Sequence, residues 1–244
     1  MKYGPSEWEY KNFGKTSCEF RIEKGDLFEE LAKADREATE EYRVVKVPTD
    51  MPEFLFRLGE LGYIFVETQI GLSMKAEEFR PIAIKNSLYE KIKYEELKSL
   101  PRIEEALSFI SAGENFVTDR IALDPRFGKE TAGLRYFNWI KDIYSRGGSV
   151  VLIKAGNELT AFTTLEMTKG GTCHMAIGGM IGTPGEAYYA CVDAGERYAL
   201  AKGAKRLETA VSSNNIPMLR LHEKKGFHVK GMHYVYIKHA GGQA

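Results

Sequence analysis

Apolar and polar positions in the first third of the chain follow strand and helix periods in turn. Residues 17–22 (SCEFRI) alternate with a period of two, as a half-buried strand does. After Asp26, a suitable N-cap, Leu27, Phe28, Leu31 and Ala34 recur at helical spacing and predict a helix to about Tyr42. Residues 43–47 read as a β-branched strand that Pro48 stops. Thr49 or Asp50 then caps a helix over 52–61 with proline in its first turn; Gly62 ends it, and a long strand covers 63–74. Residues 75–109 are more charged and less periodic. They predict a connector with helix near 94–100 and again at 103–111, and they place a junction between two domains, 1–100 and 101–244.

The second part is more strongly patterned. Residues 131–144 form an amphipathic helix with Leu134, Phe137, Trp139, Ile140 and Ile143 on its apolar face, broken by Gly147 and Gly148. Strands over 149–155 and 159–168 are joined by Gly156-Asn157, a pair suited to a tight hairpin. A third strand covers 172–181, with Gly178-Gly179 inside it, where glycine marks either a bulge or the close approach of a ligand. A helix over 186–202 closed by Gly203, a strand over 207–212, a helix over 215–225 and a long strand over 227–238 complete the chain. Residues 49–74 echo residues 213–238: polar cap, short helix, glycine, aromatic, long strand. In that register Asp50 falls on Asn214, Leu55 on Leu219, Gly62 on Gly226 and Leu58 on His222. The later copy thus carries a proton-transfer group where the earlier carries a core-type leucine.

Composition narrows the function. The 244 residues carry 34 Lys+Arg and 34 Asp+Glu, so the formal net charge is zero and a nucleic-acid partner is not expected. Lys202, Lys205 and Arg206 form a local basic group that a solvated helix end explains. Cys18, Cys173 and Cys191 are odd in number and widely spaced, which fits reduced thiols in a cytoplasmic protein and neither a disulfide framework nor a metal site. The N-terminus MKYGPSEWEY lacks an apolar targeting core, so neither export nor a membrane partner is expected.

The run Asn215-x6-His222-x3-Gly226-Phe227 resembles the C-terminal signature of the GNAT acyltransferases, N-x-x-A-x-x-L-Y-x-K-x-G-F. Asn215, Leu221, Lys224, Gly226 and Phe227 match it; Met218 replaces the small residue and His222 the tyrosine. The resemblance implies an α+β fold with a mixed, mostly antiparallel sheet, preceded by a smaller, degenerate GNAT-like α/β domain. It also implies acetyl-CoA as co-substrate and transfer to a small amine. His222 would then serve as acid for the leaving thiolate or as acceptor of the amine's proton, with Asn215 beside it. A packing role for a lone helix histidine stays open. The loop Gly182-Thr183-Pro184-Gly185-Glu186-Ala187 stands where the family holds the CoA diphosphate on backbone N–H groups, although Pro184 removes one donor and Glu186 adds a negative charge. With Gly179, Met180 and Ile181 of the preceding strand, and Asn215, the residues Gly182, Thr183, Gly185, Glu186 and Ala187 are the candidate cofactor contacts. A turn without ligand is the alternative.

One branch of the family, the dTDP-4-amino-4,6-dideoxygalactose (dTDP-fucosamine) acetyltransferases, is similar in length and layout. The likeness includes Trp8, Phe13-Gly14, the segment at 116–127 (FVTDRIALDPRF) and RYFNWI at 135–140. It implies a nucleotide-linked 4-amino sugar as acceptor, met by Asp119, Arg120 and Tyr136, though Asp119 and Arg120 could equally be a structural loop pair. Another amine, or a CoA-binding module without catalysis, is the alternative. Oligomeric state is not set by the sequence, and a homodimer stays open.

Overall fold

The structure, a computed structural model, describes residues 1–82, 90–181 and 186–241, with side chains of the helix that begins at Glu186 described from residue 193 onward. Strand β1 (Lys2–Pro5) and helix α1 (Glu7–Phe13) precede everything the periodicity had marked. Their register is local: β1 pairs antiparallel with β2 (Ser17–Arg21), and Gly14 closes α1 in the left-handed conformation at φ 65°. Helix α2 (Phe28–Glu37) starts later and stops earlier than expected. Asp26 does not cap it; its carboxylate instead holds the chain's amino terminus and accepts from the Glu23 N–H. Tyr42 begins strand β3 (Tyr42–Pro48), helix α3 (Glu53–Glu60) follows with Pro52 and not Thr49 or Asp50 at its N-cap, and β4 (Ile64–Lys75) is the long strand.

The charged segment after β4 contains a strand where a helix was expected. Residues 92–96 form β5 (Ile92–Glu96), paired antiparallel with β6 (Ser149–Ala155) from Ile92–Ala155 to Glu96–Val151. A five-residue stretch of alternating character is too short for its helix propensity to outweigh a ready sheet edge. Helix α4 (Leu100–Leu107) and the long helix α5 (Gly128–Ser145) then pack Ile103, Leu107, Ile140 and Ile143 against Leu152 and Phe162. Strand β7 (Glu158–Met167) returns beside β6 through Gly156, at φ 67°. The expected strand over 172–181 is two pieces, β8 (Thr172–His174) and β9 (Gly178–Met180). Helix α6 (Glu186–Ala201), strand β10 (Arg206–Ser212), helix α7 (Ile216–Lys224) and strand β11 (His228–His239) end the chain.

The strands form an 11-stranded sheet in the order β1-β2-β3-β11-β4-β10-β8-β7-β6-β5, with β9 beside β7. The two long strands of the sequence echo, β4 and β11, pair antiparallel with each other, from Ile64–Ile237 to Ser73–His228. Outward from that seam the order is symmetric. β3 then β2 lie on one side and β10 then β8 on the other, and β2–β3 and β8–β10 are the two parallel pairs. α2 and α6 are the crossovers of those pairs, and α3 and α7 lead into β4 and β11. The last strand therefore lies among strands of the first half, and β5, which precedes residue 100, belongs to the far edge beside β6. No described helix is long and apolar enough to cross a membrane.

Candidate active site

The two parallel pairs of this symmetric arrangement behave differently, and the difference creates the cavity. β2 and β3 stay paired through five successive positions, from Ser17–Tyr42 to Arg21–Lys46. β8 and β10 pair from Thr172–Arg206 to His174–Glu208, hold once more through Met175 N–H to the Glu208 carbonyl (2.8 Å) and the Thr209 hydroxyl to the Met175 carbonyl (2.8 Å), and then part. Beyond this point the chain follows β7 alone. The Ile177 carbonyl accepts from Thr164 N–H at 2.8 Å, and Ile181 N–H donates to the Thr160 carbonyl at 2.8 Å. In an antiparallel ladder alternate residues bond to the partner, so the backbone groups of Gly178 and Met180 turn away from β7 toward the gap. The Met180 carbonyl accepts there from the Asn115 amide at 3.4 Å. Gly179 has a different requirement: a Cβ would lie 2.8 Å from the Phe162 ring, so the glycine lets β9 lie flat on that aromatic.

The gap opens into a cavity of about 450 Å³, with Met175, Gly178 and Met180 on one wall and Thr209 and Val211 on the other. α7 closes one side. Asn215 is its N-cap, the side-chain oxygen accepting from Met218 N–H at 3.3 Å, and Asn215, Met218 and His222 line the cavity. The His222 ring packs edge-on against Phe227, 4.8 Å between centroids, and Nδ1 is buried without a hydrogen-bond partner. Burial, with the Lys225 ammonium adding to it, pushes the His222 pKa down to about 3, so the imidazole is neutral at pH 7. Lys225 is itself 0% exposed, paired with Glu196 and 3.8 Å from Asp193, both on α6. Glu196 also lines the cavity and lies 4.0 Å from His222 Nδ1.

The remaining wall comes from α1, β2, β3, β4 and α5, and it is charged. Glu9, 3% exposed, accepts from Arg135 Nε with both oxygens at 3.0 Å and from Arg120 at 3.0 Å. Glu19 pairs with Lys46 at 2.9 Å and Arg21 at 3.0 Å; burial opposes its ionisation, but Lys46 carries the pKa down to about 2. Asp119 accepts from the Ile121 and Ala122 N–H groups at 3.2 and 2.9 Å and stands 3.7 Å from Arg135. Tyr136 stacks on Phe116, 3.9 Å between centroids and 16° between planes, and burial raises its pKa well above the ordinary value. Among the described residues no cluster suited to a metal ion occurs.

The sequence candidates fall around this one cavity as far as the structure describes them. Asn215, His222, Gly179, Met180, Asp119, Arg120 and Tyr136 all line it, and Ile181 follows directly on β9. Gly182, Thr183 and Gly185 lie outside the described residues, and Glu186 and Ala187 open α6. Arg120 is engaged by Glu9, which it shares with Arg135. Glu9, Glu19, Lys46, Glu67 and Glu196 also line the cavity, and no motif in the sequence marks them. The one signal was a charged residue at a strand position whose neighbours two away are uncharged, as at Glu67, and that pattern also suits a solvent face.

No model of a known protein family matches the sequence, and no curated protein matches it. Solved structures do. A GCN5-related N-acetyltransferase from Sphaerobacter thermophilus matches with TM-score 0.58 at 14% identity, over 92% of this chain and 72% of that one. A tandem GNAT protein from the clavulanic acid biosynthesis pathway matches with TM-score 0.54 at 12% identity, over 93% and 76%. A GCN5-related N-acetyltransferase from Kribbella flavida matches with TM-score 0.54 at 14% identity, over 93% and 82%. The likeness spans both halves of the chain. The fold is the GNAT fold, mixed α+β with a mostly antiparallel sheet.

Proposed function

We propose that this protein is an acetyl-CoA-dependent N-acetyltransferase acting on a small amine. The observation that carries the reading is the parting of β8 and β10 over the cavity, which leaves the backbone of Gly178 and Met180 without a strand partner on that side. An extended pantetheine arm has amide groups that such an edge pairs with, as an added strand would. The start of α6 follows within a few residues and favours an anion such as the CoA diphosphate. When bound, acetyl-CoA supplies the acyl group as a thioester. Asn215 holds the first turn of α7, and with it the position of His222. A neutral imidazole with a folded pKa of about 3 is a weak base and carries no spare proton at pH 7. Its part is therefore a hydrogen bond from its single N–H to the sulfur as charge develops there, with solvent as the final proton source.

The nucleotide-linked amino sugar is one member of the acceptor class. Its diphosphate would need cations, and the charged wall has four, Arg21 and Lys46 sharing Glu19 and Arg120 and Arg135 sharing Glu9. The proposal is made for the amine as a class and does not choose this member. Calorimetry with acetyl-CoA, followed by thiol release across a panel of amines, tests it. Binding with turnover of at least one amine is expected. Absence of binding overturns the proposal, and binding without thiol release from any amine supports a CoA-binding module instead.

A further inference from the structure

The charged wall of the cavity holds more hydrogen-bond donors than it uses. Its cations share two carboxylates, Arg21 and Lys46 on Glu19 and Arg120 and Arg135 on Glu9. With Asp119 and Glu67 the acids equal the cations in number, so the wall is formally neutral; what it has in excess is donors. Arg120 hydrogen-bonds Glu9 through one terminal nitrogen at 3.0 Å, and its Nε is buried without a partner. The hydroxyl of Tyr42, a residue 0% exposed, is also buried without a partner among the described residues. These two groups are neighbours: burial raises the Tyr42 pKa, and Arg120 is the charge that opposes the rise most. A third group crowds the same place. Burial pushes the Lys46 pKa down to about 8, with Arg120 and Arg21 adding to the effect and Glu19 opposing it. Tyr42, Lys46 and Arg120 all line the cavity. A buried donor without an acceptor carries its desolvation cost unrelieved, and two like charges held close together add to it. An anion relieves both.

We propose that the Tyr42 hydroxyl, Arg120 Nε and the Lys46 ammonium seat an anionic group at one end of the acceptor, so that the substrate is a small amine carrying a carboxylate or a phosphate monoester. The inference rests on the acetyl-transfer reading and narrows it. A phenol, a guanidinium and an ammonium all donate to carboxylate or phosphate oxygens, and such charge-assisted bonds are the stronger kind. Because the donors are buried, the seat receives the end of a chain and not a linkage that continues in both directions. Glu9 and Glu19 keep their places: each holds a pair of cations whose remaining donors face the ligand.

Matched amines that differ only in the anionic group test the seat. The pairs are phenylalanine with phenylalaninamide, β-alanine with β-alaninamide, and phosphoethanolamine with ethanolamine. Wild-type, Tyr42→Phe and Arg120→Lys proteins are compared by calorimetry with each amine without acetyl-CoA, by calorimetry with acetyl-CoA, by thermal melting and by thiol release. In at least one pair the anionic member is expected to bind wild type about tenfold or more tighter than its neutral partner and to be the better substrate. A larger preference in the carboxylate pairs or in the phosphate pair tells which anion the seat takes. Tyr42→Phe removes a hydroxyl that bonds nothing in the protein. It should weaken binding of the anionic member about tenfold while leaving acetyl-CoA affinity within about twofold and the melting temperature no lower. Arg120→Lys keeps the charge but loses the Nε donor, and should weaken the same member without changing its neutral partner. Equal affinity for both members of every pair, no anionic probe bound, unchanged anion affinity in Tyr42→Phe, or a lower melting temperature in that variant would overturn the inference. Failure of acetyl-CoA to bind the wild type sinks the acetyl-transfer reading instead, and the paired amine calorimetry still decides whether the anion seat exists.

Discussion

His222 illustrates how one residue's chemistry depends on its surroundings more than on its identity. In an exposed loop it would titrate near 6.5; here burial and Lys225 bring the pKa to about 3. Between those values the unfolded chain binds a proton that the folded chain does not, so this group makes stability fall as pH drops from about 6.5 toward about 3. His222→Gln removes that contribution. Urea denaturation should show wild type losing about 1 kcal/mol more per pH unit than the variant across this window. Lys225 is the complementary test. Removing its ammonium with Lys225→Met leaves Glu196 and Asp193 without it in a buried site, at a cost of about 3–5 kcal/mol in the same assay. In folded material, NMR titration of His222 should show its pKa shifted upward. The spacing Asn215-x6-His222-x3-Gly226 makes His222 legible in the sequence. Glu67 and Lys225 are not legible there, because a charged residue in a strand or helix reads as solvent-facing until the fold buries it.

At the scale of elements, the echoed pair α3–β4 and α7–β11 separates scaffold from site. Each helix ends at a glycine with positive φ, Gly62 at 80° and Gly226 at 100°. Around Gly62 a Cβ would meet only the end of the Lys238 side chain at 4.0 Å, whereas at Gly226 it would lie 2.4 Å from the Glu78 carbonyl oxygen. Thermal melts should therefore show Gly226→Ala costing about 3 kcal/mol and Gly62→Ala nearer 1 kcal/mol. The start of α7 is a second check: Asn215→Ala should lose about 1 kcal/mol, and Asn215→Asp should keep most of the cap. Strong periodicity made the long elements readable, α5 and β11 among them. Short elements whose stability comes from a neighbour were not: β5 was expected as helix, since only the β6 edge makes it a strand. The break between β8 and β9 left one trace, the Gly178-Gly179 pair, because losing β10 as a partner while keeping β7 does not change the period.

For the whole molecule, the symmetric order β2-β3-β11-β4-β10-β8 explains why only one half has the slot. Both halves supply a parallel pair, but only β8 and β10 separate; β2 and β3 remain paired, and Leu58, 0% exposed, occupies the place of His222. Because β11 lies between β3 and β4, a fragment of residues 1–100 lacks the strand that joins its own edge strands. Such a fragment should be insoluble or unfolded alone by circular dichroism, and co-expression with residues 101–244 should recover folded protein. The central claim is that the parted strands form an acetyl-CoA slot. Calorimetry of acetyl-CoA against wild type and Gly179→Val tests it most directly, because a side chain at Gly179 displaces Phe162 and with it the strand edge that lines the gap. Saturable binding to wild type is expected, with at least a tenfold weaker affinity, about 1.4 kcal/mol, in a variant that still melts cooperatively. Equal affinity in the two proteins, or none in wild type, would contradict it.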